Sequence, residues 1–326
     1  MKRRDFLALL CGAAAAWPRS IAAQSSRKRI GVFLGFERSD PQWSERFGAF
    51  NDAFQKLGWV DGKNVSFEMI SAIGPPDSLP ALADRLVASK VDAIVVQTAG
   101  LASVVHNATK TIPIVVCAAG ELEGTGLIAS LNRPGGNVTG SQILSPNLMS
   151  KRLDLLKQLV PGLRRLGVVL PITPAGIITA RYLDVIDETA QVVGIEVQRV
   201  EVRSPEEFAR AYADMQRDKC QAAIVISNPL ALGHRKRLLE AALIPTMYET
   251  ENYVRDGGLV SYGASIQPLY REAASYMDKI LRGASPADLP VNQPTQFELA
   301  INLQTSKAFG LAVPPTVLAL ADRVFE

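Results

Sequence analysis

RIGVFLG, residues 29–35, is an apolar run with no charge at its centre, as a strand covered on both faces should be. VDAIVVQ, residues 91–97, and IPIVVC, residues 112–117, repeat the pattern, and helical patterns lie between such runs along most of the chain. This alternation predicts βαβ units around a parallel sheet. Between the first two runs Phe47, Phe50, Phe54 and Leu57 recur at helical spacing and form one apolar stripe, read as a core face. The plan then repeats. Gly31-Val32-Phe33-Leu34 is followed 27 positions after its glycine by the helix-ending Gly58, and Gly167-Val168-Val169-Leu170 by Gly194 at the same 27. Ala93-Ile94-Val95-Val96 likewise has an echo in Ala223-Ile224-Val225-Ile226, each followed by a helix and then by Ile-Pro, at Ile112-Pro113 and Ile244-Pro245. Two α/β lobes of similar topology are the natural inference. Ligands of open parallel sheets gather at the carboxyl ends of the strands, so two facing lobes define a cleft.

The N-terminus has a different character. Lys2, Arg3 and Arg4 precede an apolar run from Phe6 to Trp17, and small residues follow at Ala22 and Ala23. That is the layout of an export signal cleaved near Ala23, and the adjacent arginines fit a twin-arginine signal. The run is too short to span a bilayer. Removing residues 1–23 takes away Lys2, Arg3, Arg4, Arg19 and Asp5, leaving 35 − 4 = 31 bases and 32 − 1 = 31 acids. The net charge of +3 therefore belongs to the signal. Nothing suggests a nucleic-acid footprint, which needs clustered Lys and Arg. Of the remaining cysteines, Cys117 and Cys220 lie far apart without CxxC spacing and read as two buried thiols, with a disulfide as the alternative.

Catalytic patterns are missing from the sequence. The two histidines, His106 and His234, fall in regions read as helical and lack HExxH spacing. There is no GxSxG and no GxxxxGK[ST], so a nucleophile elbow and a P-loop are both excluded. Gly124-Thr125-Gly126-Leu127-Ile128-Ala129 matches a dinucleotide fingerprint in letters, but the nearest strand ends near Cys117 and no acid occurs between Glu123 and Asp154 to hold a ribose. The glycine-rich SLNRPGGNVTG, residues 130–140, does not have the fingerprint order either. No catalytic residue, metal ligand or cofactor is expected.

Longer motifs carry a resemblance. GWVDGKNVSFE (58–68), TKTIPIVV (109–116), GLIASLNRPGGNVTG (126–140), KRLDLLKQLVP (151–161), GGLVSYG (257–263) and ADLPVNQPTQFELAINLQTSKAFGLAVP (287–314) together closely resemble the bacterial ABC transporter substrate-binding family that includes tryptophan- and phenylalanine-binding proteins. The resemblance implies the type I periplasmic-binding-protein fold, two Rossmann-like lobes with parallel sheets joined by three crossovers and a ligand cleft between them. The crossovers are expected near Gln142–Pro146, near Gly263–Gln267, and within PVNQPTQ (290–296) or shortly after. The lobes would then comprise 27–144 plus about 265–294, and 145–264 plus about 295–326. The implied function is capture of an amino acid or small, even aromatic, carboxylate in the periplasm by hinge closure. Delivery to an ABC permease and its ATPase in the inner membrane would follow, by a monomer. A sensing subunit for a receptor kinase needs the same cleft, and an enzyme is a third and weaker reading.

Strand ends then nominate the ligand-binding residues. Thr98, with the backbone N–H of Ala99, would offer a carboxylate its hydroxyl and a helix terminus, or serve as an ordinary helix cap. Asn228 is its counterpart in the other lobe. Glu121, standing where the family often has an aspartate followed by proline, would pair with an ammonium or else face solvent. Glu249 follows Tyr248 where a proline-led segment is more usual, and the two acids would favour a cationic group on the ligand. Phe36, Tyr248 and Tyr262 are candidates for an apolar wall, with core packing as the alternative for each. Whether Thr139 or Ser141 reaches the ligand stays open.

Overall fold

The computed structural model describes residues 27–72, 76–143, 146–172 and 180–326. The export-signal reading, on residues 1–23, lies outside them. The first sheet has the order β2-β1-β3-β4-β5 and is parallel throughout, from β1 (Lys28–Leu34), β2 (Val65–Ser71), β3 (Ala93–Val96), β4 (Ile114–Ala119) and β5 (Val138–Gln142). The first βαβ unit is closed by α1 (Pro41–Lys56), whose entry is fixed by Asp40, its carboxylate accepting from the Gln42 N–H at 2.8 Å. The expected stripe of α1 is buried at Phe50 and Phe54, which stack at 5.3 Å, while Leu57 caps the helix and is exposed. The helices α2 (Leu79–Ala88) and α3 (Ala99–Ala108) complete this lobe's first pass.

The second sheet has the order β12-β11-β10-β9-β8-β6-β7. It consists of β6 (Arg165–Pro171), β7 (Glu196–Val202), β8 (Ala222–Val225), β9 (Thr246–Tyr248), β10 (Val260–Ala264), β11 (Phe297–Asn302) and β12 (Arg323–Phe325). Its helices are α4 (Pro146–Leu159), α5 (Ala180–Val192), α6 (Glu207–Arg217), α7 (Pro229–Gly233), α8 (Arg235–Ala241) and α9 (Glu251–Arg255). Strands β1–β3 and β6–β8 have the same neighbours in the same order, as the internal echo requires. Unlike the first, this sheet is not wholly parallel, because β11 runs antiparallel to β10. The reason is topological. The chain leaves this lobe after Ala264, runs through α10 (Ile266–Leu281) against β4 and α1, and returns from the opposite direction.

Three passages thus join the lobes: after Gln142, after Ala264, and between Asn292 and Phe297. The glycine-rich loop works at the third. Leu131 and Gly140 carbonyls accept from the N–H groups of Val291 and Asn292, Thr139 donates its hydroxyl to the Leu289 carbonyl, and Ser141 bridges Asn292. Thr139 is accordingly occupied in bracing the returning chain. Gly135 takes φ +75° in the turn, and at Gly140 (φ +137°) a Cβ would lie 2.1 Å from the Val116 carbonyl oxygen, so only glycine fits there. Segments α11 (Leu303–Ala308) and α12 (Pro315–Leu318) finish the chain before β12. Both Cys117 and Cys220 are free and buried, which removes the disulfide alternative.

Candidate functional site

A cavity of about 130 Å³ lies between the lobes at the carboxyl ends of the strands. One water needs roughly 10–15 Å³ by the same measure, so a molecule of amino-acid size has room here. Gln97, Thr98, Ala99, Ala118, Gly120 and Glu121 wall it from the first lobe; Ile226, Ser227, Asn228, Pro229, Leu232 and Glu249 face them from the second. The lobes are in contact around it. Gln42 of α1 accepts from the Asn252 side-chain amide of α9 at 2.6 Å, and Glu45 of α1 pairs with Arg255 at 3.6 Å. A Cβ on Gly35 would stand 3.8 Å from that of Pro229.

Thr98 and Asn228 occupy equivalent positions on opposite walls. Each ends its strand's loop in extended backbone and caps the helix that follows: Thr98 Oγ1 accepts from the Leu101 N–H at 3.3 Å and Asn228 Oδ1 from the Ala231 N–H at 3.0 Å. Asn228 also donates its amide to the Pro171 carbonyl at 2.6 Å. Both residues are helix caps, as the second alternative read from the sequence has it, and both also line the cavity. Glu121 also lines the cavity, but at 4% exposure it does not face solvent.

Glu249 is the centre of a network that the sequence does not announce. Its Oε1 accepts from Arg152 Nη1 and from the Tyr182 hydroxyl, both at 2.6 Å, and its Oε2 accepts from the Ser227 N–H at 2.8 Å. Arg152 Nε donates in turn to the Tyr262 carbonyl at 2.8 Å. Burial opposes the charge on Arg152, yet the Glu249 carboxylate and Tyr182 outweigh it and hold the guanidinium above its ordinary pKa. Burial raises the Tyr182 hydroxyl well above its ordinary value, and the adjacent Glu249 charge pushes it the same way, so Tyr182 stays a donor. The charge of Glu249 is thereby matched within its own lobe. Of the two acids expected to favour a cationic group on the ligand, Glu249 thus already has its counter-charge in Arg152, and Glu121 is the other acid on the wall.

The three aromatic walls expected from the sequence lie elsewhere. Phe36 is buried in the core beneath the Arg46 guanidinium, which sits 4.7 Å from its ring centroid. Tyr248 is buried and stacks on Tyr253 at 4.7 Å. Tyr262 packs its ring beside Phe297 at 6.2 Å and contributes only its carbonyl to the network. For all three the core-packing alternative holds. Helices also bring to the wall side chains that the strand-end rule does not nominate, among them Arg46, Leu148, Met149, Arg152 and Tyr182. Of the histidines, His106 Nδ1 lies 2.8 Å from Asn137 Oδ1, and His234 stands at the junction of α7 and α8 rather than inside a helix. Among the described residues no cluster of His, Cys, Asp and Glu could hold a metal ion, and no helix is long and apolar enough to cross a membrane.

Known proteins share this architecture. A tyrosine-binding protein of Clostridioides difficile (strain R20291) is 27% identical over 289 residues, covering 87% of this chain and 81% of that one. An ABC domain from Streptococcus pneumonia, solved in complex with L-Trp, superposes with a TM-score of 0.84 at 24% identity over 92% of this chain and all (100%) of that one. A ligand-free, open substrate-binding protein with adhesive properties from Clostridium difficile gives 0.67, also at 24% identity, over 91% of this chain and 99% of that one. These superpositions establish a type I periplasmic-binding-protein fold with the ligand cleft between its lobes. The model of the family described as ABC transporter substrate binding protein matches residues 38–325, and the chain belongs to that family.

Proposed function

We propose that this protein is the periplasmic solute-binding component of an ABC importer, taking up an amino acid or small, in particular aromatic, carboxylate and presenting it to a membrane permease. The observation that carries this reading is the cavity enclosed by strand ends of both lobes, with the Thr98 and Asn228 caps facing each other across it. Apolar Ile143, Leu148, Met149, Ile226 and Leu232 suit a hydrophobic side chain, and the helix-capping walls supply polar groups for its backbone end. A ligand touching both lobes binds the closed form better than the open one and shifts the population toward it. The similarity to a tyrosine-binding protein and to a tryptophan complex agrees with aromatic amino acids as the first compounds to try.

The test is a thermal-shift screen of the mature protein with L-tyrosine, L-tryptophan, L-phenylalanine and small aromatic acids. A true ligand at 100 times its Kd adds about 2.7 kcal/mol of stability. At least one of these compounds is expected to raise Tm accordingly, and a folded protein indifferent to all of them overturns the reading.

A further inference from the structure

Arg46 presents an unusual electrostatic situation. It projects from α1 into the wall of the cavity and is 5% exposed. Its neighbours are the side-chain carbonyl of Gln42, at 2.9 Å from Nη2, the face of Phe36, and the Tyr270 hydroxyl, which burial keeps protonated. None of these neutralises a positive charge. Among the described residues no carboxylate lies within ion-pair distance of it; Glu249, which shares the wall, has both oxygens taken by Arg152, Tyr182 and Ser227. A buried guanidinium without a counter-charge is costly unless something else supplies the charge.

The surroundings indicate what that is. Arg46, Glu249, Thr250, Ala264 and Ile266 form the partition between the main cavity and a second, polar cavity on the hinge side. Thr250 approaches from the other lobe, and its hydroxyl oxygen is buried with no hydrogen-bond partner among the described residues. A cation from one lobe and an unsatisfied hydroxyl from the other thus meet the same part of the cavity, next to the Gln42–Asn252 bond that joins the lobes. Building on the solute-binding reading above, we propose that Arg46 is the anchor for the ligand's carboxylate and that the Thr250 hydroxyl completes its cradle from the opposite lobe. The carboxylate accepts from the guanidinium and from the hydroxyl together, which is possible only when the lobes are closed. Selection for acids over their decarboxylated analogues follows from this site.

Calorimetric titration of the mature protein, native and with Arg46→Met or Arg46→Lys, tests the anchor, using L-tyrosine, L-tryptophan and L-phenylalanine against tyramine, tryptamine and phenethylamine. The native protein should bind at least one amino acid, and its amine roughly 100-fold more weakly, the scale set by losing one partner of a buried charge pair. Arg46→Met should lose a similar factor for the acid while its ligand-free Tm is not lowered, since an uncompensated charge has been removed; Arg46→Lys should recover part of the affinity. An amine bound as tightly as its amino acid, or full affinity in Arg46→Met, overturns the anchor and leaves solute binding standing. If Arg46→Met fails to fold, the acid–amine comparison on native protein and the Arg46→Lys affinity decide between these outcomes. Binding of none of the six compounds removes the solute-binding reading for this class, and the anchor with it.

Discussion

Glu249 illustrates how a charged residue on a cavity wall can belong to the scaffold. Three donors converge on its carboxylate from α4, α5 and the end of β8, so it ties together elements far apart in sequence. Its side chain is 15% exposed and that of Arg152 4%. Removing one partner leaves the other buried and unpaired, and Glu249→Leu or Arg152→Met should each lower unfolding stability by about 3–5 kcal/mol, read by urea denaturation. The double replacement should restore much of the loss; additive losses would show that the two charges are not coupled. Thr98, Ala99, Glu121, Asn228 and Glu249 were legible on the cavity wall because strand ends are legible. The aromatic residues nominated by the same rule were not placed correctly. Successive side chains of a strand point to opposite faces, and nothing in the local sequence decides whether Phe36 or Tyr248 turns toward the cleft or the core. Arg46, Arg152 and Tyr182 escaped notice because helical periodicity identifies a buried face without saying which distant loop that face will meet.

Helix α1 shows the same division between what local sequence fixes and what tertiary structure adds. Its aromatic stripe was readable, and the resulting cluster continues beyond the helix: Phe54 stacks on Trp59 at 5.6 Å and Phe47 meets Phe67 edge-on at 5.2 Å. Phe54 is fully buried, and Phe54→Ala should cost about 3–5 kcal/mol, measured as the change in urea midpoint at constant m-value; a loss under about 1 kcal/mol would mean that the cluster can collapse around the gap. The opposite end of the helix, at Gln42 and Glu45, reaches the second lobe and was silent in the sequence. The glycine-rich loop was recognisable as a motif before its role was. Its turn geometry follows from Pro134 and Gly135, but the partner it braces, residues 287–292, is 150 positions away for the Thr139–Leu289 bond. Local composition carries no information about such a partner.

On the scale of the whole molecule, the lobes share buried tyrosines on both sides of the cavity. Burial raises the hydroxyls of Tyr253 and Tyr270 and carries Tyr212 up to about 12, with Tyr182 and Tyr248 raised in the same direction. Each holds its proton more tightly folded than unfolded, where tyrosine titrates near 10. The stability they contribute is complete below about pH 10 and is lost progressively as pH rises from the unfolded value toward the folded ones. Tm should therefore be flat with respect to these groups at mildly alkaline pH and fall steeply beyond about pH 10, as a differential scanning calorimetry series will register. A Tm unchanged at about pH 11 would contradict the burial of these hydroxyls.

The third passage between the lobes has a consequence for biogenesis. β5 at the edge of the first sheet is flanked by Asn292, and α1 and β4 are covered by α10, so a lobe that begins at residue 28 is not finished until residue 292 is available. A ribosome delivers those residues only after strands β6 to β10 of the second lobe. During most of synthesis the first sheet has one flank of β4 and α1 uncovered, and closing it requires ordering a long intervening stretch of chain. The lobes therefore have their own sheets in the finished molecule but are interleaved in their order of synthesis. Until residues 266–292 emerge, the faces of β4 and α1 that α10 covers in the finished lobe stay exposed, as apolar surface open to non-native association.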